Sequence, residues 1–192
     1  KSKNVLVEDQ FFHEVKSLVN LHKLEVEILN CKVLKNKELL NEDEIILGKL
    51  SDNVCTMFTS GTSGPSKGVM MPNAHCVLFA IGTIENYNLK EDHTFYISLP
   101  LFHANGLFMQ LLACIMTGAK AVIRTRFSAS NWLNDIRNYN ITHTNMLGAI
   151  AAFIVAQPPT KYDKDHNLEV IGSAPLPSEP EKIFRNRFGV KY

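Results

Sequence analysis

The sequence has no excess of charge of either sign, no paired cysteines and no long apolar run, and each absence removes a class of function. Lys and Arg number 20 against 19 Asp and Glu, a net charge of +1 over 192 residues. A surface that coats nucleic acid needs clustered cations, so a nucleic-acid partner is not expected. Cys31, Cys55, Cys76 and Cys114 are far apart and form no CxxC pair. That spacing argues against a zinc site or a disulfide framework and for a reducing compartment. His13, His22, His75, His93, His143 and His166 are scattered without ligand spacing, so no metal-ligating set of side chains is expected. No apolar stretch reaches the roughly 18 residues that span a bilayer, and the opening KSKNVLVEDQ does not read as a signal peptide. A cytoplasmic protein without a membrane span is the expectation.

What remains is ordinary globular composition, 45% apolar and 20% charged, with no internal repeat or low-complexity tract. Short apolar runs alternate with segments of helical period. NVLVE, EVEIL, NVCTMFTS, TFYISLP, KAVIR, THTNML and LEVIGSA read as strands, and EIIL as an edge strand within the charged stretch 31–51. The first helix carries Phe12, Val15 and Val19 along one face. The second is expected to be capped by Asn73 and to bury Ala74, Val77, Leu78, Ile81 and Ile84. GLFMQLLACIMTG is apolar nearly all round and stops at Gly118, a core helix too short to span a membrane. SNWLNDIRNYN turns Trp132, Leu133 and Ile136 inward, and GAIAAFIVAQPP is broken by its prolines. PSEPEKIFRNRFG opens with a capping box, Ser178 to Glu181, and ends at Gly189. Alternating βα units with short connections predict an α/β fold, a mostly parallel sheet with helices on both faces. Ligands of such sheets bind beyond the carboxyl ends of the strands.

The stretch TSGTSGPSKG, Thr59–Gly68, has almost nothing apolar to bury, and it follows a strand directly. Gly61, Gly64 and Gly68 allow backbone amides close to an anion. Thr59, Ser60, Thr62 and Ser63 add hydroxyls, and Lys67 adds a point charge. The inventory suits a polyphosphate. A Walker A loop needs Gly-Lys-Ser/Thr, whereas Ser66 precedes Lys67 here and Gly68 follows it; a nucleophile elbow needs G-x-S-x-G, and neither Ser60 nor Ser63 sits in that frame.

The same ten residues resemble the phosphate-loop signature of the adenylate-forming enzymes, the superfamily of acyl-CoA synthetases, luciferases and peptide-synthetase adenylation domains. Ser63-Gly64 stands where the family has Thr-Gly, and Pro65 comes one place early. Two more stretches agree in order. PLFHANG, Pro100–Gly106, resembles the second family signature, and GSAPLP, Gly172–Pro177, resembles its adenine-binding strand end. QPPTKYDKDHNLEV and RFGVKY look most like the crotonobetaine/carnitine-CoA ligase branch.

The resemblance implies a two-step reaction. A carboxylate attacks the α-phosphorus of Mg2+-ATP to give an acyl-adenylate and pyrophosphate, and coenzyme A then displaces AMP. It implies that Lys67 and Thr59 serve the chemistry, with Thr59, Ser60, Gly61, Thr62, Ser63, Gly64, Lys67 and Gly68 around the phosphates. Gly172, Ser173, Ala174 and Pro175 would border adenine, and His103, Asn105, Met146 and Gly148 the acid, with Thr144 to Gly148 walling its pocket. It also implies a piece of a large N-terminal domain. Residues 1–50 would end one α/β subdomain and its connector, and 51–192 would form a truncated nucleotide-binding subdomain. The family's Tyr-Gly-x-Thr-Glu motif and its lysine-bearing C-terminal domain are not in the sequence, so the 192 residues alone are expected to be inactive. A nucleotide-binding module without ligase activity is the alternative; a phosphotransferase fits the loop less well.

Overall fold

The computed structural model describes residues 3–32, 48–59, 61, 64–175 and 178–190. The chain divides into two compact units, Lys1–Leu47 and Gly48–Tyr192. In the first, strand β1 (Asn4–Val7) and strand β2 (Glu27–Asn30) pair in parallel across helix α1 (Phe12–Leu21). Phe12, Val15 and Val19 are the half-buried residues of α1, the face that its sequence predicts. The EIIL segment lies outside the described residues.

The second unit is built on a four-stranded, wholly parallel sheet in the order β6-β5-β7-β8. Its strands are β5 (Thr94–Ile97), β6 (Lys120–Ile123), β7 (His143–Leu147) and β8 (Val170–Ala174). Alternation along β5 sends Phe95 and Ile97 to one face and Tyr96 to the other. The first face packs against helices α2 (Asn73–Tyr87) and α3 (Leu112–Thr117), through Ala80, Ala113 and Cys114. The second packs against α4 (Ala129–Asn138), α5 (Gly148–Val155) and α6 (Ser178–Ile183) with the turn after it, through Trp132, Ile136, Ile154 and Phe184. Burying each such side chain contributes about 1.5–3 kcal/mol, which is why the α/β alternation survives short strands of four and five residues.

Three local expectations are corrected. Asn73 does not cap α2: it is the first helical residue, and its Nδ2 donates to the Lys49 carbonyl at 2.8 Å. The buried residues of α2 are Cys76, Ala80 and Thr83, while Leu78 is 64% exposed and Ile81 39%. Small residues let the helix sit close to the sheet, so the larger aliphatics point out. The polar loop also does not follow a strand of the parallel sheet. It joins β3 (Asn53–Phe58) to β4 (Gly68–Pro72), an antiparallel hairpin of its own. Cys55, Met57 and Met71 seat one face of that hairpin against Cys76 of α2 and Phe108.

The helix expected over GLFMQLLACIMTG begins as a wider π-helical turn, Asn105–Leu111, before becoming α3. Among the described residues no helix is long and apolar enough to cross a membrane.

Candidate functional site

The loop residues are held by a short closure at the end of the hairpin. Thr59 N–H donates to the Lys67 carbonyl at 3.0 Å, and Lys67 N–H donates to Thr59 Oγ1 at 3.1 Å. Because Thr59 Oγ1 accepts there, its own proton is left to donate elsewhere. Gly61 has φ +64°, and a Cβ on it would meet the Gly64 carbonyl at 2.8 Å; only glycine fits that turn without strain. Lys67 is exposed, and no described carboxylate forms an ion pair with it. Among the described residues, the open hairpin tip presents the exposed Lys67 ammonium, a donor hydroxyl and a backbone that turns on itself. Ser60, Thr62 and Ser63 lie outside the described residues.

The other two motifs fall at the carboxyl ends of β5 and β8, the strands on either side of β7. Pro100–Gly106 follows β5, Gly148 follows β7, and Pro175 follows β8. His103 is exposed, with its ring 4.6 Å from that of Phe102, and its carbonyl accepts the Leu107 N–H at 3.0 Å. Asn105 is half-buried at the head of the π-helical turn. Gln110 Nε2 donates to Asn105 Oδ1 at 2.8 Å, Asn105 Nδ2 to Asn145 Oδ1 at 3.4 Å, and Asn145 Nδ2 to the Tyr87 hydroxyl at 2.8 Å. The line ends against Gly172, where a Cβ would fall on that hydroxyl. Burial pushes the Tyr87 phenol above its ordinary pKa, so it stays protonated and neutral. These four side chains and Gly172 form a continuous polar seam from the second motif to the third.

Sequence reasoning found Asn105 and Gly172, had Asn145 only as part of the Thr144 to Gly148 pocket wall, and missed Tyr87 and Gln110. Its signal was present only in part: Asn145 is a polar residue in a strand buried at every position but the last, and such residues need partners. Met146, one residue on, lies on the opposite face. It is 1% exposed and packed in the core with Trp132 and Ile154. Gly148 is buried at the start of α5, and Thr144 Oγ1 donates to the Tyr96 carbonyl at 3.0 Å. In β8, Ala174 pairs with Leu147, and Ser173 Oγ donates to the Pro175 carbonyl at 3.0 Å.

Gly172 and Ser173 line one end of a cleft of about 540 Å3 along the β8 side of the sheet, with His93 and His143 at the other. The two imidazoles stack 4.4 Å apart. Burial, with His93 beside it, holds His143 below the usual histidine pKa, against the opposing pull of its bond to the Tyr87 carbonyl. Among the described residues no three His, Cys, Asp or Glu side chains gather as a metal site. The exposed Lys67 ammonium and the Thr59 hydroxyl at the hairpin tip suit an anion.

A 29% identical stretch of 144 residues, 75% of this chain, is shared with long-chain fatty acid transport protein 6 of Mus musculus, and covers 23% of that protein. Medium/long-chain-fatty-acid–CoA ligase FadD17 of Mycobacterium marinum is 30% identical over 140 residues, 72% of this chain and 28% of its own. The chain thus spans about a quarter of the length of these curated relatives. In fold, it matches ATP-bound MatB from Rhodopseudomonas palustris with a TM-score of 0.82 at 18% identity, over 97% of this chain and 38% of that one. It matches the N-terminal domain of FACL13 from Mycobacterium tuberculosis with a TM-score of 0.80 at 19% identity, over 99% and 49%. The family described as AMP-binding enzyme matches residues 4–192, and the chain belongs to it.

Proposed function

We propose that this chain is the nucleotide- and acid-binding part of an AMP-forming acid–thiol ligase, which activates a carboxylic acid with ATP and passes the acyl group to coenzyme A. The observation that carries the reading is the polar seam from Asn105 through Asn145 and Tyr87 to Gly172. It ties the segment that resembles the acid-binding signature to the one that resembles the adenine-binding strand end, and fixes their separation.

In this reading the Lys67 ammonium and the Thr59 hydroxyl meet the β- and γ-phosphates at the hairpin tip and stabilise charge as pyrophosphate departs. The amides around Gly61 and Gly64 add to that cradle, with Ser60, Thr62, Ser63 and Gly68 flanking it. The backbone of Gly172 to Pro175 borders the base, while His103, Asn105 and Gly148 border the acid. The acid is already ionised near neutral pH, so His103 shapes the channel and transfers no proton. Residues 51–192 carry this nucleotide-binding role and 1–50 belong to the neighbouring subdomain and connector. Magnesium comes with the nucleotide, its oxygen ligands drawn first from the phosphates.

For the acid, the named relatives include medium- and long-chain fatty-acid ligases, and the QPPTKYDKDHNLEV and RFGVKY segments resemble the crotonobetaine/carnitine branch. The deciding experiment is acid-dependent ATP–pyrophosphate exchange by the longer protein that carries this chain, with acids from short to long and with carnitine. Exchange that requires one acid supports adenylation and names the substrate class. ATP binding without exchange for any acid would replace the ligase reading with a nucleotide-binding module.

A further inference from the structure

Gln110 is 0% exposed, within the π-helical turn Asn105–Leu111. Its Nε2 donates to Asn105 Oδ1 at 2.8 Å, and among the described residues its side chain makes no other hydrogen bond. Gln110 Oε1 is buried as well and meets no donor there. Such an amide does little for the fold, because the unpaired buried oxygen offsets what the bond at the nitrogen gains. Methionine has nearly the same length and shape, and would fill the space with nothing left unpaired. What glutamine adds over methionine at this position is therefore the bond to Asn105.

That bond decides which way round the Asn105 amide lies. Oδ1 accepts from Gln110, so Nδ2 is turned toward β7, where it stands 3.4 Å from Asn145 Oδ1. The Asn145 contact is longer than an ordinary hydrogen bond and would hold the amide poorly alone; the Gln110 bond is of ordinary length. An amide nitrogen carries two protons, and Asn145 Oδ1 takes one of those on Asn105. Asn105 is half-buried, and its second proton has no acceptor among the described residues. An ionised carboxylate accepts and cannot donate, so an acid beside Asn105 is held by the amide nitrogen and repelled by the amide oxygen.

We infer that Gln110 is a positioning residue for the acid: it fixes the Asn105 amide with the nitrogen, not the oxygen, available to the carboxylate. The inference rests on the proposed reaction, in which Asn105 borders the acid, and adds to it the buried side chain that selects for an acceptor-only substrate group.

The test is a double-mutant cycle in the longer protein that carries this chain, read by ATP–pyrophosphate exchange with acetate, octanoate, palmitate and carnitine. With the acid that supports exchange, Gln110→Met is expected to raise KM for the acid about tenfold, the effect of losing one well-placed hydrogen bond to a charged group. KM for ATP should stay at the parent value. The urea midpoint should stay there too, because the bond and the unpaired oxygen leave together and Asn105 can turn to water. In an Asn105→Ala background the same change should leave KM for the acid unaltered. Gln110→Leu is the second variant if Gln110→Met fails to fold. A parent-like KM for the acid in the single variant would overturn the inference. So would a rise that persists without Asn105, since Gln110 would then act by another route. A parent protein that exchanges with none of the four acids is a separate result: it removes the ligase reading, and the role of Gln110 falls with it.

Discussion

The Tyr87 hydroxyl occupies the space in which a side chain at residue 172 would begin. The end of helix α2 and the middle of strand β8 are thereby locked together by an absence on one side and a ring on the other. Gly172→Ala is expected to destabilise the chain by about 1–3 kcal/mol, the range for overpacking a rigid site. Tyr87→Phe keeps the ring but leaves Asn145 Nδ2 without its acceptor, and should cost about 1 kcal/mol. Urea unfolding of the two variants measures both. An unchanged midpoint for Gly172→Ala would mean that α2 gives way freely.

Lys67 separates function from stability. Its side chain is exposed, so Lys67→Ala should leave the unfolding free energy within about 0.5 kcal/mol of the parent. In the longer protein the same change should lower kcat/KM for ATP by the equivalent of about 2–4 kcal/mol, the effect of removing a preorganised contact to developing charge. Unaltered exchange kinetics would take Lys67 out of the phosphate site.

Acid should loosen the fold well before the carboxylates titrate. His143 and His166 are both held below the ordinary histidine pKa, in each case chiefly by burial. Both are thus neutral in the folded chain at pH values where they would be protonated when unfolded. The unfolded state then binds more protons, so stability rises with pH. The contribution is complete above the unfolded pKa of about 6.5 and is lost as pH falls through the lower folded values. For each group the slope is at most about 1.4 kcal/mol per pH unit. His143→Gln should flatten a plot of unfolding midpoint against pH between neutrality and pH 5, and an unflattened plot would show that His143 is not the group responsible.

The α/β alternation was legible because strands such as TFYI and VIGSA are short apolar runs, separated by segments that end at Gly118 or before Pro158. The hairpin was not. GVMMP carries only five residues and no alternation, and its role as β4 is decided by pairing with Asn53–Phe58 across the loop, a non-local fact. The inward face of α2 was misread for a related reason. With mean composition apolar on every side, size rather than hydropathy chose Cys76, Ala80 and Thr83 for the close contact. Of the site, the residues within contiguous motifs could be read, whereas Asn145 and Tyr87 lie 58 residues apart and meet only once the sheet is assembled.

The π-helical turn at Asn105–Leu111 has a consequence for how this segment tolerates length change. Asn105 and Gln110 are five residues apart and share a hydrogen bond; in a regular α-helix, at about 100° per residue, they would face directions roughly 140° apart. The wide turn is geometrically one residue of slack inserted into an otherwise ordinary helix. Removing one residue between them, such as Met109, should let the segment tighten to α-helical winding and stay folded, with Gln110 now four residues after Asn105, where the two side chains still meet. Circular dichroism would report the retained helix, and ATP–pyrophosphate exchange in the longer protein the retained alignment of Asn105. A deletion that unfolds the chain would mean that the slack is held by packing on both sides. Where most helices count residues strictly, this one holds a spare and spends it on aiming a single amide.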